Sequence, residues 1–358
     1  MIIFDNIIFS LQKAGGVSLV WFEFIKRMID SNIDDLFFLE YNKCLDNIFR
    51  NNLYISRDNI FFNSSFNPKL ISLFNSYKQF GHKFIFHSSY YRVSKSNNAI
   101  NITTVHDFID EKSHFNIKKY LRIRQKHYAI MKSNYIICIS ENTKKDLLEI
   151  FPFVDSNKIR VIYNGVSDEY YPMTYVDDNE LPFPPFSYVL FVGTRVGYKN
   201  FEFAVEAIKN TNKKMIIVGP KITDEEIRYL NSELGLGRYK SFEKVLSSKL
   251  NIFYNRAYCL LYPSSYEGFG IPVIEAQKAG CPVIAYNSSS IPEIIGDTPL
   301  LLDVLSEEAV QNAFLLIDDF TVRDHIIENG ILNAKRFSWE KMYYEILDLY
   351  KEALEKYC

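Results

Sequence analysis

The chain has 358 residues, 47% hydrophobic and 23% charged, which is the balance of a packed globular protein and excludes a disordered or fibrous one. Its length suits two domains of roughly 150–180 residues better than a single core. The net charge of −2 hides an asymmetry: residues 1–165 carry 22 Lys and Arg against 15 Asp and Glu, and the remainder 19 against 28. With an acidic second half and no recognition module in the basic half, nucleic acid is not an expected partner. Five scattered cysteines, Cys44, Cys138, Cys259, Cys281 and Cys358, form no C-x-x-C pair. They suggest neither a zinc site nor a disulfide framework, and they fit a reducing cytosol. No stretch approaches the ~18 uninterrupted apolar residues of a membrane span, so any membrane contact is expected to be peripheral.

In chain order, "MIIFDNIIFSL" (1–11) carries Asp5 inside its apolar run and no basic residue ahead of it, unlike a secretory signal, and is predicted as the first strand. "KFIFHSS" (83–89) and "AINITTV" (99–105) follow as strands. Residues 112–132, "KSHFNIKKYLRIRQKHYAIMK", hold seven basic side chains and no acidic one. On a helix Lys118, Arg122 and Lys126 share one face, with Ile117, Leu121, Tyr128 and Met131 turned away. The basic face reads as solvated or as a surface that docks on anionic lipid, each basic residue then contributing up to ~1 kcal/mol.

"NYIICIS" (134–140) and "KIRVIY" (158–163) close the first series of strands. Residues 164–187 hold four prolines and no sustained periodicity, and a domain linker is placed there. A second series, "SYVLFVG", "KKMIIVG", "AYCLLYPS" and "CPVIAY", alternates with helix-period segments, and "FSWEKMYYEILDLYKEALEKY" closes the chain as a long amphipathic helix. Such alternation predicts α/β architecture with parallel sheets covered by helices on both faces.

Chemistry is sought where strands of such sheets end. In "SYEGFGIPVIEA" (265–276) a strand hands over to a helix, with Pro272 as its first residue and Glu275 in its first turn. Gly268 and Gly270 let a ligand approach the backbone, and the helix start favours an anion such as phosphate. Glu267 and Glu275 would repel phosphate, and so must face neutral hydroxyls that donate to them. A nucleotide sugar offers both groups; a plain glycine loop with a capping glutamate is the alternative. Upstream, "LFVGTRVGYKN" ends a strand at Val192, turns at Gly193 and presents Arg195 and Lys199, whose cations could neutralise a diphosphate.

"GTRVGYKN" followed by "SSYEGFGIPVIEAQKAGCPVIAYNSSSIPEIIGD" resembles the retaining glycosyltransferases of family four, with their GT-B fold and E-x7-E signature. The resemblance extends to "AGGV" (14–17), "TTVHDFID", "ISENTKKDLL", "VIYNGV" and the closing helix. It implies two Rossmann-like doubly wound parallel-sheet domains facing a central cleft: residues 1–170 with a returning helix at 340–358 on the acceptor side, and 171–339 binding the nucleotide sugar. Carried over by position, Arg195 and Lys199 hold the donor diphosphate, Glu267 contacts hydroxyls of the transferred sugar and Glu275 accepts from the ribose. Backbone around Gly268, Phe269 and Gly270 completes the cradle, Gly15 and Gly16 approach the diphosphate from the other lobe, His106 touches the donor sugar and Asp107 shapes the acceptor side. The chain departs from the pattern at Thr194 and in pairing Lys199 with Asn200 where glycine is commoner.

The implied reaction moves a hexose with retention from a nucleotide diphosphate sugar, GDP-mannose being favoured and UDP-sugars open, by a front-face route without a protein nucleophile. The acceptor would be a glycan or lipid-linked oligosaccharide of bacterial surface polysaccharide, including lipopolysaccharide. The setting would be cytoplasmic, peripheral at the inner face of the plasma membrane. No metal or other cofactor is expected, because "VDDNE" (176–180) lies in the linker. A non-catalytic nucleotide-sugar-binding subunit, or an epimerase or hydrolase of the same fold, is the alternative.

Overall fold

The computed structural model describes the chain except residues 32, 65–66, 77, 113–116, 177, 179–180 and 358, and the side chain at 118. It divides into unit 1, Met1–Gly165 with Trp339–Cys358, and unit 2, Val166–Ser338.

Unit 1 runs β1 (Ile2–Asp5), α1 (Ile7–Leu11), α2 (Gly16–Asp30), β2 (Leu36–Tyr41), β3 (Ile60–Asn63), α3 (Pro68–Ile71), β4 (Phe84–Ser88), β5 (Ala99–Val105), α4 (Ile117–Lys132), β6 (Tyr135–Cys138), α5 (Glu141–Ile150) and β7 (Ile159–Val161). Its strands form one sheet in the order β3-β2-β1-β4-β5-β6-β7, every pairing parallel. Unit 2 runs β8 (Tyr188–Val192), α6 (Phe201–Lys209), β9 (Lys214–Val218), α7 (Asp224–Glu233), β10 (Tyr239–Phe242), α8 (Ser247–Arg256), β11 (Cys259–Tyr262), α9 (Ile271–Lys278), β12 (Val283–Tyr286), α10 (Ile291–Ile295), β13 (Leu301–Leu302), α11 (Glu307–Asp318) and α12 (Phe320–Ala334). Its parallel sheet has the order β10-β9-β8-β11-β12-β13. In each unit the first strand is central and the order reverses beside it, at β1/β4 and at β8/β11. At such a reversal the loops of open α/β sheets leave in opposite directions, which is where ligands of these sheets bind.

The helix α13 (Trp339–Tyr357) packs on unit 1 by burying Met342, Ile346, Leu349, Tyr350 and Ala353, a helical stripe. Charged partners accompany this packing: Arg27 meets Glu340, and Arg160 Nη2 donates to both carboxylate oxygens of Glu352 at 2.7 and 2.9 Å. The hydroxyl of Tyr350 lies 2.6 Å from His87 Nδ1.

Two expectations are corrected by packing. The opening run is a strand only as far as Asp5; Asn6 turns the chain, and Ile7, Ile8 and Phe9 are buried as the short helix α1. An apolar run this brief carries no period by which strand and helix could be told apart. The basic face of α4 is not a free one. Lys126 is buried, donating to Asp107 O at 3.0 Å and Glu111 at 2.7 Å, and Arg122 pairs with Asp110 at 3.0 Å. The exposed side of α4 instead mixes apolar and basic residues, with Ile117 72% exposed and Leu121, Tyr128 and Met131 open to solvent alongside Arg124 and Lys132. The side chain of Lys118 and residues 113–116 of the basic segment lie outside the description, as does most of "VDDNE".

Candidate active site at the strand ends of unit 2

The chain leaves β8 through Gly193, at φ +138, where its N–H donates to Val218 O at 2.9 Å. Gly219, at the end of β9, sits so close that a Cβ there would lie 2.1 Å from Gly193 O. This approach draws the two loops together and admits no side chain at Gly219 without moving backbone. A single 3-10 turn, Gly197–Lys199, then returns Lys199 toward the strand ends, its Nζ 3.9 Å from the position a Cβ on Gly193 would take.

Across the switch point, the loop after β11 brings up Glu267. Lys199 Nζ forms a short ion pair with Glu267 Oε1 and donates to Tyr262 Oη at 3.2 Å; the two charged side chains are 11% and 12% exposed. Lys199 and Glu267 are therefore direct partners, shielded but reachable. Burial, with the Glu267 charge beside it, holds the Tyr262 phenol well above its usual pKa, so it stays a neutral donor.

Arg195 is anchored differently. Its Nε meets Glu226 Oε1 at 2.5 Å, and Nη2 reaches Lys221 O at 3.1 Å and Glu226 Oε2 at 3.2 Å. Glu226 also caps α7 in a reciprocal box with Thr223. The Arg195 hydrogen bond, working against partial burial, holds the Glu226 carboxyl below its usual pKa. Arg195 Nη1 is buried without a partner among the described residues, 3.5 Å from the Cβ position of Gly219. A guanidinium with one edge clamped and the other unpaired is pre-set to receive an acceptor group.

The Glu267 loop is clasped by three serines. Ser288 Oγ donates to Ser265 O, Ser289 Oγ accepts from Glu267 N–H at 2.7 Å, and Ser290 Oγ donates to Glu267 O at 2.9 Å and Phe269 O at 3.1 Å. Phe269 buries its ring edge-on against Phe337, so only its backbone can face a ligand. Gly270 takes φ +99 as the N-cap of α9. Two details of the sequence reading change here. Pro272 is the second helical residue, and Glu275 stands past the first turn. Glu275 is buried, accepting from Tyr254 Oη at 3.2 Å and bonded to Tyr170, and burial pushes its pKa up to about 7. Glu275 is not among the side chains gathered around Lys199: its neighbours are tyrosines.

In unit 1, Gly15 caps α2 and Gly16 opens it, with open space where a Gly16 Cβ would stand. His106 follows β5 and lines a cavity of about 20 Å³, room for one water, with His87, Ser88, Thr104, Asn164 and Met342. Burial, with the Lys126 charge adding to it, lowers the His106 pKa to about 4; burial lowers that of His87 to about 3, so both are neutral near pH 7. Asp107 Oδ1 accepts from Ile109 N–H at 3.1 Å, and burial raises its pKa. Among the described residues no group of three or more His, Cys, Asp or Glu is arranged to hold a metal ion. Sequence reasoning missed Gly219, Glu226, Tyr262 and the serine clasp, and noticed Asn200 only as a departure from the family pattern; among the missed residues only the run "SSS" at 288–290 carried a visible signal.

Residues 14–170 match the model of the family described as Glycosyltransferase Family 4, and residues 177–333 that of Glycosyl transferases group 1. The O-antigen chain mannosyltransferase B of Escherichia coli is 25% identical over 268 residues, 70% of this chain and 70% of that protein. A D-inositol 3-phosphate glycosyltransferase of Corynebacterium glutamicum is 28% identical over 239 residues, 60% of this chain and 57% of that protein, so the match spans less than two thirds of this relative. A solved sucrose-phosphate synthase from Thermosynechococcus elongatus superimposes with a TM-score of 0.74 at 17% identity, covering 99% of both chains; this likeness bears on the fold.

Proposed function

We propose, proceeding from the chain's membership of the group 1 glycosyltransferases with the GT-B fold, that it moves a hexose with retention from a nucleotide diphosphate sugar to an acceptor hydroxyl of a bacterial surface polysaccharide. The observation that carries the reading is the Lys199–Glu267 pair at the β8/β11 switch point, beside the unpaired Nη1 of Arg195. As the glycosidic bond to phosphate breaks, the diphosphate gains negative charge and the sugar becomes oxocarbenium-like. Lys199 exchanges Glu267 for the departing phosphate, and Arg195 offers Nη1 while Glu226 holds its other edge. Glu267, released, accepts from sugar hydroxyls. Glu275 takes the ribose, Gly268, Phe269 and Gly270 contribute backbone, and Gly15 and Gly16 contribute to diphosphate binding. His106, neutral, contacts the donor sugar, and Asp107 belongs to the acceptor side. With two cations already present, the leaving group needs no metal.

The donor favoured is GDP-mannose, in keeping with the mannosyltransferase relative. A thermal-shift screen of nucleoside diphosphates and their sugars tests donor binding, since a ligand of the native state raises its melting point. Release of GDP from GDP-mannose only with acceptor, in excess EDTA, tests transfer; strict metal dependence would overturn the charge argument, and an axial-to-equatorial change at the anomeric carbon would overturn retention.

No helix among the described residues is long and apolar enough to cross a membrane. The reading places the enzyme peripherally on anionic lipid through α4, whose open side presents Ile117, Leu121, Tyr128 and Met131 beside exposed Arg124 and Lys132. In vesicle co-sedimentation, Leu121→Ser with Met131→Ser should weaken binding about tenfold or more, since the two side chains are 43% and 50% exposed and full burial of an exposed one contributes roughly 1.5–3 kcal/mol. Equal sedimentation of wild type and variant would remove α4 from that role.

A further inference from the structure

Asn200 stands where the family resemblance favours glycine, directly after Lys199, and its backbone is left-handed at φ +49, ψ +48. It is the N-cap of α6, yet its side chain makes no capping bond, the usual reason for an asparagine there. The amide turns the other way. Nδ2 donates to Pro263 O at 2.8 Å and to Ser265 Oγ at 2.6 Å, both in the loop that leads to Glu267. A backbone bond from Ser265 N–H to Tyr198 O, at 2.8 Å, closes the same junction two residues earlier in the turn. Glycine would satisfy the dihedrals but could not make the side-chain tie.

We infer that Asn200 is a positioning residue, whose amide holds the Lys199 turn and the Glu267 loop in register so that amine and carboxylate meet. It acts on donor chemistry through those two side chains, and so rests on the reading above. Asn200→Gly keeps access to the left-handed backbone and removes the tie. Asn200→Asp keeps the shape but places a carboxylate, which cannot donate, against the Pro263 carbonyl. A purely conformational role would leave both variants like wild type.

The experiment has two readouts. The first is acetylation of Lys199 by an N-hydroxysuccinimide ester, followed by peptide mass against the exposed Lys351, and it needs no substrate. Lys199 should be slow in wild type and about fivefold or more faster in Asn200→Gly, at a melting point within a few degrees of wild type. The second is steady-state turnover of GDP-mannose. Both variants should lose about tenfold or more in kcat with donor KM changed less than about threefold. Asn200→Asp should recover as pH falls and its carboxyl regains a proton to donate. Unchanged Lys199 labelling in both variants overturns the inference, as does unchanged turnover. If wild type turns over no nucleotide sugar, the functional reading fails while the labelling still decides the role of Asn200.

Discussion

The two switch points occupy the same place in two similar parallel sheets, yet they use charge in opposite ways. In unit 1 the end of β1 is closed by Arg92 on Asp5, at 2.9 Å, with side chains 5% and 0% exposed, and Tyr41 and Ser88 take the remaining bonding positions. Next to it Arg50 closes on Glu40, which also accepts from Asn6, itself bonded to Trp21. These ions are partnered within the core, and what lines the adjoining cavity is neutral: two histidines and an asparagine. In unit 2 the equivalent loops keep Lys199 and Glu267 at a shielded surface and leave an N–H edge of Arg195 unpaired. Topology sets where a site can form; whether its charges are consumed by each other or kept for a ligand is decided by individual side chains.

Breaking the closed pair should cost most. Arg92→Ala strands the buried Asp5 carboxylate, and chemical denaturation should register a loss of about 3–5 kcal/mol. At the open pair, Lys199→Ala should leave cooperative unfolding intact while turnover falls roughly 100-fold to 1,000-fold, equivalent to about 2.7–4 kcal/mol of barrier. A stability loss at Lys199 as large as that at Arg92 would erase the contrast.

Glu275 sharpens the comparison, being a buried carboxyl inside unit 2 with no cation among its bonded partners. Its folded pKa of about 7 exceeds the unfolded value of 4.5, so the folded state holds the proton more tightly. The stability this confers is fully present below pH 4.5 and is lost as pH rises to about 7, a change of about 3 kcal/mol. Glu275→Gln should lack that component, so urea unfolding of wild type and variant should diverge across this window and run parallel above it. Parallel behaviour throughout would mean the carboxyl is already ionised among its tyrosines. Smallest is Gly219→Ala, which pushes on Gly193 O and should cost about 1–3 kcal/mol as strain, lowering turnover more than nucleotide affinity.

Legibility followed the strength of local pattern. Strands buried over all or nearly all of their length, such as β8, β9 and β11, hold apolar runs of four or five residues and were readable as such. β2 and β3 were not, because Glu40 interrupts the first and the second lies half-exposed at the sheet edge. The helix α4 had the right period, but its orientation was misjudged. Lys126 could go inward only because Glu111 and the Asp107 carbonyl, residues of another segment, were there to receive it.

The amino-acid sequence by itself determined the alternation of strands and helices, the family, and the residue types at the loop carrying Glu267, since these depend on neighbours a few positions apart. Tertiary structure alone decided that Lys199 pairs with Glu267 across 68 positions, that Glu226 takes one edge of Arg195, and that tyrosines rather than solvent surround Glu275. An ion pair needs atoms within about 4 Å. Distances on that scale between remote segments exist only once both have packed against the same sheet.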